Sequence, residues 1–320
     1  MPLGRPTVQI TLSEKEKAQL QAIADSRLAG HARAQPARMV LAAAKGQTNV
    51  QIAKREKVVV ATVGKWRWRY AEQGIEGLLD LPRGPGLTYT GGDAKRLTRL
   101  RRFYRLLAKL EKQLGGARLL AECDGRMNWP ERGIYFFFEP GQQRHASGSG
   151  MRVVRVGTHA LKAGAKSKLW NRLKQHRGGQ KDPGARKASV FRRHVGRALI
   201  NREGIRCPHW DQSRNQTATG NARKVELRVS EVIGAMPFLW LAIGDKPGPK
   251  SKRGYIERNA IALLSNHGKR KIDRPSSNWL GLESQNKLIS KSGLWNCEHV
   301  DEECDPEFLD VLEKLILRMK

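Results

Sequence analysis

The sequence has few acidic residues, few cysteines and no long hydrophobic run, and each shortage excludes a class of protein. Its 30 Asp and Glu face 60 Lys and Arg, a formal net charge of +30, so the surface repels basic partners and attracts polyanions such as DNA. Four scattered cysteines are too few for a disulfide framework. No apolar run approaches the roughly 18 residues that span a bilayer. With no signal peptide at its start, the sequence predicts a cytoplasmic, nucleoid-associated protein that binds DNA and no membrane.

The length and the distribution of charge indicate more than one domain. A chain of 320 residues with 39% hydrophobic residues can bury a core and is too apolar for a disordered basic tail. Residues 1–84 are predicted to be helical, 85–127 to form a basic helical linker, and 128–310 to form a separate mixed domain. Residues 298–320 hold eight acids and three bases. We interpret its acidic segment, Glu298–Asp310, as a solvated face or as a DNA mimic that folds over a basic cleft.

The spacing of residues 48–70 predicts two helices joined by a tight turn. Thr48 is placed to cap the first helix. The second helix starts at about Val59 and buries an aromatic-rich stripe that includes Trp66 and Tyr70. Its opposite face carries side chains suited to the major groove of DNA, namely Thr62, Lys65, Arg67 and Arg69. A helical scaffold with a solvated basic face is the alternative interpretation.

This pattern resembles the helix-turn-helix of bacterial insertion-sequence transposases of the mariner-like superfamily over about residues 10–85. The shared elements here are Ile52-Ala53, Thr62-Val63, Lys65-Trp66-Arg67 and Glu76-Gly77-Leu78-Leu79-Asp80. The resemblance implies a DNA-binding domain of helices at the start of the chain. It does not extend further, because no acid-triad segments of a transposase follow.

Beyond residue 128 the pattern predicts an α+β domain. Its elements are a strand Gly133–Glu139, a strand Met151–Gly157, a helix Ser167–Arg177, a strand Phe238–Ile243 and a helix Tyr255–Asn266. The first two strands are expected to form a hairpin with a long loop. A tyrosine near a strand start, an arginine on a helix and a glutamate on a later helix then occur in order, at Tyr135, Arg172 and Glu257.

These residues resemble the motifs of the GIY-YIG nuclease family over about residues 128–310. Gly133-Ile134-Tyr135 matches the first motif, and Arg155-Val156-Gly157 takes the place of the second with arginine for its tyrosine. The other site residues of the family correspond to Arg172 and His176 on one helix, Glu257 on another and a late asparagine that is Asn266 or Asn278. The resemblance implies an α+β fold in which helices flank a three-stranded antiparallel sheet, and a DNA endonuclease that uses one metal ion.

The same resemblance implies a role for each side chain. Tyr135 would take a proton from the attacking water, helped by positive charge from Arg155, from Arg172 or from a metal-bound water. Arg172 would brace the phosphate as negative charge builds on it. Glu257 would hold Mg²⁺, which Mn²⁺ could replace. His176 would orient Tyr135 or share the proton, and we expect no small-molecule cofactor.

Further basic residues are predicted to contact phosphates, and a second function stays open. The candidates are the loop 177–187 and the pair Arg192-Arg193. The alternative function is a non-catalytic DNA-binding regulator that keeps a degenerate nuclease fold. Convergence of Tyr135, Arg172 and Glu257 on one cleft would favour the nuclease. The sequence leaves the oligomeric state open.

Overall fold

The computed structural model describes residues 8–25, 31–78, 89–178, 188–208, 210 and 220–319. The chain divides into two units, Met1–Thr88 and Tyr89–Lys320. The basic loop 177–187 lies outside the described residues from residue 179 onward, as do Leu79 and Asp80. No helix within the described ranges is long and apolar enough to cross a membrane.

The described part of the first unit contains four helices. They are α1 (Glu14–Asp25), α2 (His31–Ala44), α3 (Asn49–Glu56) and α4 (Val60–Gln73). Thr48 caps α3, and the Gln51 side chain completes a capping box. Lys57 adopts the left-handed conformation, with φ 55°, so the chain reverses quickly into α4. Trp66 and Tyr70 are buried in the core of this unit. The predicted pair of helices and its cap are confirmed.

A four-stranded antiparallel sheet organises the second unit. Its strands are β1 (Arg118–Leu119), β2 (Gly133–Gln143), β3 (Met151–Gly157) and β4 (Pro237–Ala242), in the order β1-β4-β2-β3. The helices described around it are α5 (Gly91–Leu114), α6 (Leu169–Arg177), α7 (Val190–Glu203), α8 (Gly220–Gly234), α9 (Lys252–Leu264), α10 (Lys287–Ser292) and α11 (Phe308–Arg318). The predicted α+β fold and the hairpin of β2 and β3 are confirmed, and β1 adds a short fourth strand to the three expected.

The alternation of side chains along the strands gives this sheet two different faces. Ile134 and Phe136 point to a face packed with leucine, isoleucine and phenylalanine from α5, α9 and α11. Tyr135 and Phe137 point to the opposite face, which α6, α7 and α8 cover together with buried tryptophans. We call these the α5 face and the α6 face. The tyrosine of the first motif therefore lies on the face that α6 covers.

Helix α5 belongs to the second unit and is not a linker. Its Leu100, Phe103 and Leu107 are buried in the core of the α5 face. Arg96 is buried as well, and its guanidinium donates to Leu263 O at 3.0 Å and to Ser265 O at 2.5 Å, at the end of α9. Those carbonyl groups have no partner within the helix, so Arg96 satisfies them. The prediction of a basic linker over 85–127 is corrected accordingly.

The acidic C-terminal segment is also part of the second unit. Helix α11 buries Phe308, Leu312 and Ile316 in the α5 face. Its Asp310 and Glu313 pair with Arg102 of α5 at 2.6 and 2.8 Å. Because the apolar side of α11 lies in the core, this helix cannot act as a detachable cover. The hypothesis that the acidic segment folds over a basic cleft is therefore wrong for its last three residues, 308–310, which belong to α11.

Candidate active site and DNA-binding surface

Tyr135 lies in the middle of the sheet, opposite a glycine on the neighbouring strand. It pairs with Gly157 on β3 and with Trp240 on β4. The tyrosine side chain is fully buried, and its ring packs so closely on Gly157 that a Cβ there would clash with the ring and the hydroxyl. Glycine is therefore required at residue 157 by the approach of the tyrosine ring.

The Tyr135 hydroxyl begins a buried chain of polar groups. Tyr135 Oη lies 2.7 Å from His176 Nε2, and His176 Nδ1 lies 2.7 Å from Ser189 Oγ. His176 is in the last turn of α6, and Ser189 caps α7 by accepting a hydrogen bond from the Arg192 N–H. Burial, aided by three nearby arginines, holds the pKa of His176 well below 6.5. The imidazole is therefore neutral, with one donor nitrogen and one acceptor nitrogen.

The segment that follows α10 lies along the outer edge of β3. The Trp295 N–H donates to Val154 O at 2.7 Å, and the Asn296 amide binds both the N–H and the carbonyl of Val156, at 3.1 and 2.9 Å. Arg155 donates through Nη1 to Trp295 O at 2.9 Å, and its Nε is buried with no partner among the described residues. A buried donor without a partner can bind a further acceptor, such as a phosphate oxygen.

Glu257 reaches the end of β3 from α9. Its Oε1 accepts a hydrogen bond from the Thr158 N–H at 3.0 Å, and its other carboxylate oxygen has no partner in the described part of the chain. Burial raises the pKa of Glu257, and the charge of Arg155 opposes this shift. Thr158 directly follows the glycine that packs on Tyr135. Glu257 is therefore anchored one residue beyond that glycine.

Arg172 lies one turn before His176 on α6 and bonds to residues outside this cluster. It is half-buried, and its Nη1 donates to Gln175 Oε1 and to Ala188 O, both at 3.0 Å. Its charge nevertheless contributes to the low pKa of His176, which puts the guanidinium in the vicinity of the polar chain. Tyr135, with its partner His176, and Glu257 thus reach the end of β3, where Arg155 also lies. Arg172 stands beside them, with its donors turned to its own helix and to the start of α7.

Glu257 is the carboxylate at this site that could hold a metal ion. Within the described ranges, no group of three His, Cys, Asp or Glu side chains could hold one. Mg²⁺ commonly binds through one or two carboxylates and completes its shell with water and phosphate oxygens. A single carboxylate with an oxygen that has no partner fits such an ion. A nearby cation would also offset the burial that raises the pKa of this group.

The two asparagines predicted for the late motif bond to groups outside the site. Asn266 lies two residues beyond α9, where its Oδ1 accepts hydrogen bonds from Arg96 at 3.2 Å and from the Ile272 N–H at 2.9 Å. Asn278 is exposed and bonds to the Ser276 hydroxyl at 2.6 Å. The asparagine beside β3 is Asn296 instead. Its only signal in the sequence is a position next to a tryptophan, which is not specific.

Arg192 is a structural residue and not a DNA contact. It pairs with Glu226 of α8 at 2.7 Å, and both side chains are fully buried. It also donates to His176 O at 3.0 Å and to Arg177 O at 3.2 Å, at the end of α6. Arg192 therefore holds the helix that carries His176, and its predicted phosphate contact is wrong. Arg193 is only half-buried and stays a candidate for that contact.

His159 is a further polar residue near the end of β3 that the sequence patterns did not single out. Its Nδ1 lies 2.9 Å from Ser167 O, and its Nε2 is buried with no partner among the described residues. Burial, together with the charge of Arg253, lowers the pKa of His159 to about 4. Because a carbonyl accepts from Nδ1–H, Nε2 carries an unused lone pair. In the sequence, His159 could have been identified from the polar pair Thr158-His159, which directly follows the second motif.

The predicted DNA contacts on α4 differ in exposure. Lys65 is exposed, and its ammonium lies 4.8 Å from the centre of the Trp66 ring. Arg69 is half-buried, with its guanidinium 5.0 Å from the same ring. Thr62 is half-buried too. These three residues stay candidates for contact with DNA, and the ring of Trp66 supports the two cations.

Arg67 holds the helix-turn-helix together instead of facing DNA. Its side chain is buried. It donates to Val8 O at 3.1 Å, to Gln47 O at 3.2 Å and to Asn49 Oδ1 at 2.9 Å. The guanidinium therefore ties α4 to the start of α3, and the prediction that Arg67 contacts DNA is wrong.

Comparisons with known protein families support both parts of the chain. Residues 94–320 match the GIY-YIG domain, and residues 37–86 match a helix-turn-helix domain. The first match begins within α5, in agreement with the place of that helix in the second unit. No curated protein and no solved structure matched the chain. Since the larger match covers well over half of the sequence, the chain belongs to the GIY-YIG family and carries a helix-turn-helix DNA-binding domain ahead of its GIY-YIG domain.

Proposed function

We propose that the protein is a DNA endonuclease that hydrolyses phosphodiester bonds with one Mg²⁺ ion, which Mn²⁺ could replace. The GIY-YIG domain supports a nuclease, and the helix-turn-helix supports DNA as the partner. One observation carries the proposal. The polar chain from Tyr135 through His176 and the carboxylate of Glu257 meet adjacent residues, Gly157 and Thr158, at the end of β3. A place on the nucleoid in the cytoplasm is part of the same proposal.

Tyr135 and His176 would act on the proton of the attacking water. Because His176 stays neutral, it suits an orienting role better than that of a proton store. With its proton on Nε2, His176 donates to Tyr135 Oη, and Ser189 Oγ donates to Nδ1. The hydrogen bond from His176 would stabilise Tyr135 as a phenolate, once the phenol has lost its own proton to solvent. The phenolate keeps further lone pairs beside the one that His176 occupies, and one of them would accept a proton from the attacking water.

Arginine and glutamate side chains would act on the phosphate. Arg155 offers a buried Nε–H that has no partner among the residues that the structure describes, and Arg172 would exchange its bond to Ala188 O for one to a phosphate oxygen. Glu257 would hold the metal ion, whose positive charge stabilises the leaving oxygen. Asn296 would keep β3 in position through its two bonds to Val156. Each group thus has a role that its contacts allow.

A non-catalytic DNA-binding regulator is the second candidate function, and specific observations favour it. Tyr135 is fully buried, and Arg155 replaces the second tyrosine of the family while donating to Trp295 O. A nuclease must expose the Tyr135 hydroxyl when DNA binds, by a movement near Gly157. A regulator needs no such movement, because its tyrosine is only a core residue.

Nicking of supercoiled plasmid by the full chain in Mg²⁺ separates the two functions. Tyr135→Phe, Arg172→Ala and Glu257→Gln should each slow nicking about 100-fold or more. Tyr89→Phe is the matched control, since Tyr89 packs on Arg270 and on the core of the α5 face. DNA binding measured in parallel in EDTA distinguishes lost chemistry from lost affinity. Nicking at the wild-type rate by all three variants refutes the site, and binding without nicking by the wild type in Mg²⁺ and Mn²⁺ establishes the regulator.

A further inference from the structure

The surface of α4 carries exposed apolar side chains that the first unit does not bury. Val59 is 68%, Val60 45% and Trp68 54% exposed. Val60 and Trp68 are eight residues apart and lie on one side of the helix. Ala61 and Lys65 are exposed as well. We call Val59, Val60 and Ala61, at the start of α4, the valine patch. Exposed apolar groups gathered on a helix indicate a contact with a partner.

Val59 is a poor residue for the stability of α4. It occupies the N-cap position and makes no side-chain hydrogen bond there. Ser, Thr, Asp and Asn are strongly preferred at this position, because their oxygens accept a hydrogen bond from the first turn. Val59 thus neither caps the helix nor fills the core. A residue that breaks a local rule with no gain in stability is expected at a functional position.

On α4 the side chain that could read guanine is Lys65. It is exposed, whereas Arg67 is buried on backbone carbonyls and Arg69 lies against the Trp66 ring. Arginine or lysine on guanine is the commonest specific contact in the major groove, while thymine is distinguished by its C5-methyl group, which apolar side chains contact. Lys65 lies one turn beyond the valine patch, so the start of α4 presents exposed apolar groups that fit thymine better than guanine.

The charge of the surroundings favours DNA over an apolar protein partner. Residues 31–78 contain nine Lys or Arg and three Glu. Lys54 and Lys57, which flank the turn, are exposed, as is Lys65 on α4. Such cations suit the phosphates on either side of a groove and carry no sequence information themselves. The valine patch is thus an apolar surface with cations around it.

We infer that the valine patch contacts thymine C5-methyl groups in the major groove, so that the helix-turn-helix selects sites with thymine at defined positions. The first residues of the second helix are the ones that reach base edges in this motif. Val59, Val60 and Ala61 occupy that place in α4. The inference rests on the proposed binding of DNA, and it goes further by naming thymine as the base that α4 contacts.

The test replaces thymine with uracil, which lacks only the C5-methyl group. The full chain in EDTA, where no metal-dependent cleavage occurs, selects binding sites from duplex DNA randomised over about 20 base pairs. The selected sequences should contain thymine at one or more fixed positions. Synthetic sites with uracil at one such position should bind about fourfold more weakly, because one buried methyl group contributes about that factor. Fluorescence anisotropy measures the Kd of each site.

Substitutions in the valine patch test whether these residues cause the preference for thymine over uracil. Val59→Ser supplies an N-cap and so does not weaken α4, yet it should lose part of the preference for thymine over uracil. The double variant with Val60→Ala should lose most of it, since Ala61 of the valine patch is unchanged. Lys65→Ala is the matched control, since a lost phosphate contact weakens binding to both DNAs equally.

Two outcomes overturn the inference, and each is distinct from failure of the proposed nuclease. The first is equal binding of thymine and uracil sites by the wild type. The second is an undiminished preference in the double variant Val59→Ser and Val60→Ala. Plasmid nicking that is absent while the preference is present counts against the nuclease alone. Nicking that proceeds without any preference counts against this inference alone.

Discussion

The two faces of the sheet in the second unit bury different kinds of side chain. The described core of the α5 face is made of leucine, isoleucine, phenylalanine and similar residues, with no tryptophan among them. The α6 face buries Trp210, Trp279 and Trp295, and it also holds His176 and the Arg192–Glu226 pair. Burial of polar and charged groups is unfavourable unless each one finds partners. The α5 face is therefore built for stability, and the α6 face also holds groups that can do chemistry.

Glu257 shows where the two faces meet. It belongs to α9, which packs on the α5 face, yet its carboxylate bonds to Thr158 at the end of β3. Tyr135 reaches the preceding residue, Gly157, from the α6 face. The candidate site thus lies at the edge where both faces end. Substitutions on the α5 face should change stability alone, and substitutions on the α6 face should change stability and chemistry together.

The largest effect is expected from Arg192→Ala on the α6 face. The change leaves Glu226 buried without its partner and removes the bonds from Arg192 to the end of α6. We expect the free energy of unfolding to fall by about 4 kcal/mol, as for other broken buried pairs. Urea unfolding followed by circular dichroism measures the loss. A change below about 1 kcal/mol would show that this pair does not hold the α6 face.

A double variant separates the charge from the packing of this pair. Arg192→Met combined with Glu226→Leu removes both charges and keeps apolar volume, so it should recover most of the lost stability. Plasmid nicking should nevertheless stay impaired, because the carbonyl of His176 has lost its donor. Full recovery of nicking would mean that Arg192 does not position His176.

Leu107→Ala tests the α5 face. Leu107 is buried in the core of that face, and its truncation should lower the free energy of unfolding by about 3 kcal/mol through lost burial and a cavity. The rate of nicking per folded molecule, measured well below the unfolding temperature, should not change. A large drop in that rate would show that substitutions on the α5 face also change the chemistry.

Gly157→Ala should affect chemistry more than stability. The added Cβ meets the ring and hydroxyl of Tyr135, so strand β3 or the ring must shift. We expect a loss of about 2 kcal/mol of stability from overpacking, and a drop in nicking rate of at least tenfold. Gly244→Ala is the control, because nothing lies within 4 Å of a Cβ at that residue. Equal nicking by both variants would contradict the close packing of Gly157 on Tyr135.

Much of the fold could be predicted because local patterns of residues in the sequence determine it. The strand Met151–Gly157 has the predicted bounds, since its alternation and flanking turns are local signals. The cap of α3 by Thr48 was also predictable, as capping depends on residues a few positions apart. The order of tyrosine, arginine and glutamate is a local signal of the same kind, and the site that it predicts stays a prediction. Short-range patterns therefore identified these elements of secondary structure correctly.

The remaining errors come from contacts between distant parts of the chain. Arg67, Arg96 and Arg192 each bind backbone carbonyls of other segments, and a sequence count of cations cannot tell such a buried arginine from one that faces DNA. Asn296 bonds to Val156, a residue 140 positions away. Helix α5 was predicted as a helix within a linker, because its apolar side does not indicate which core it enters. In each of these cases, contacts with residues distant in the sequence determined where the side chain or helix lies.

The smallest expected effect is on the pH dependence of the free energy of unfolding. The pKa of His159 is lowered from 6.5 to about 4 by burial and by Arg253. Between these values the unfolded chain binds a proton at His159 and the folded chain does not, so stability falls as the pH falls. Glu257, whose pKa burial raises, binds a proton more readily when folded and opposes this trend. His176, whose pKa burial also lowers, adds to the fall, so the overall slope combines several groups and a single substitution is needed to isolate His159.

His159→Gln isolates the contribution of the histidine to that slope. Glutamine cannot titrate and can still donate to Ser167 O, so the variant should lose less stability than the wild type between about pH 6.5 and pH 5, by on the order of 1 kcal/mol. His145→Gln, at an exposed position, should follow the wild type. Urea unfolding at several pH values gives the slopes. Parallel curves for all three proteins would show that His159 is protonated as easily in the folded chain as in the unfolded one, and that the end of β3 is open to water.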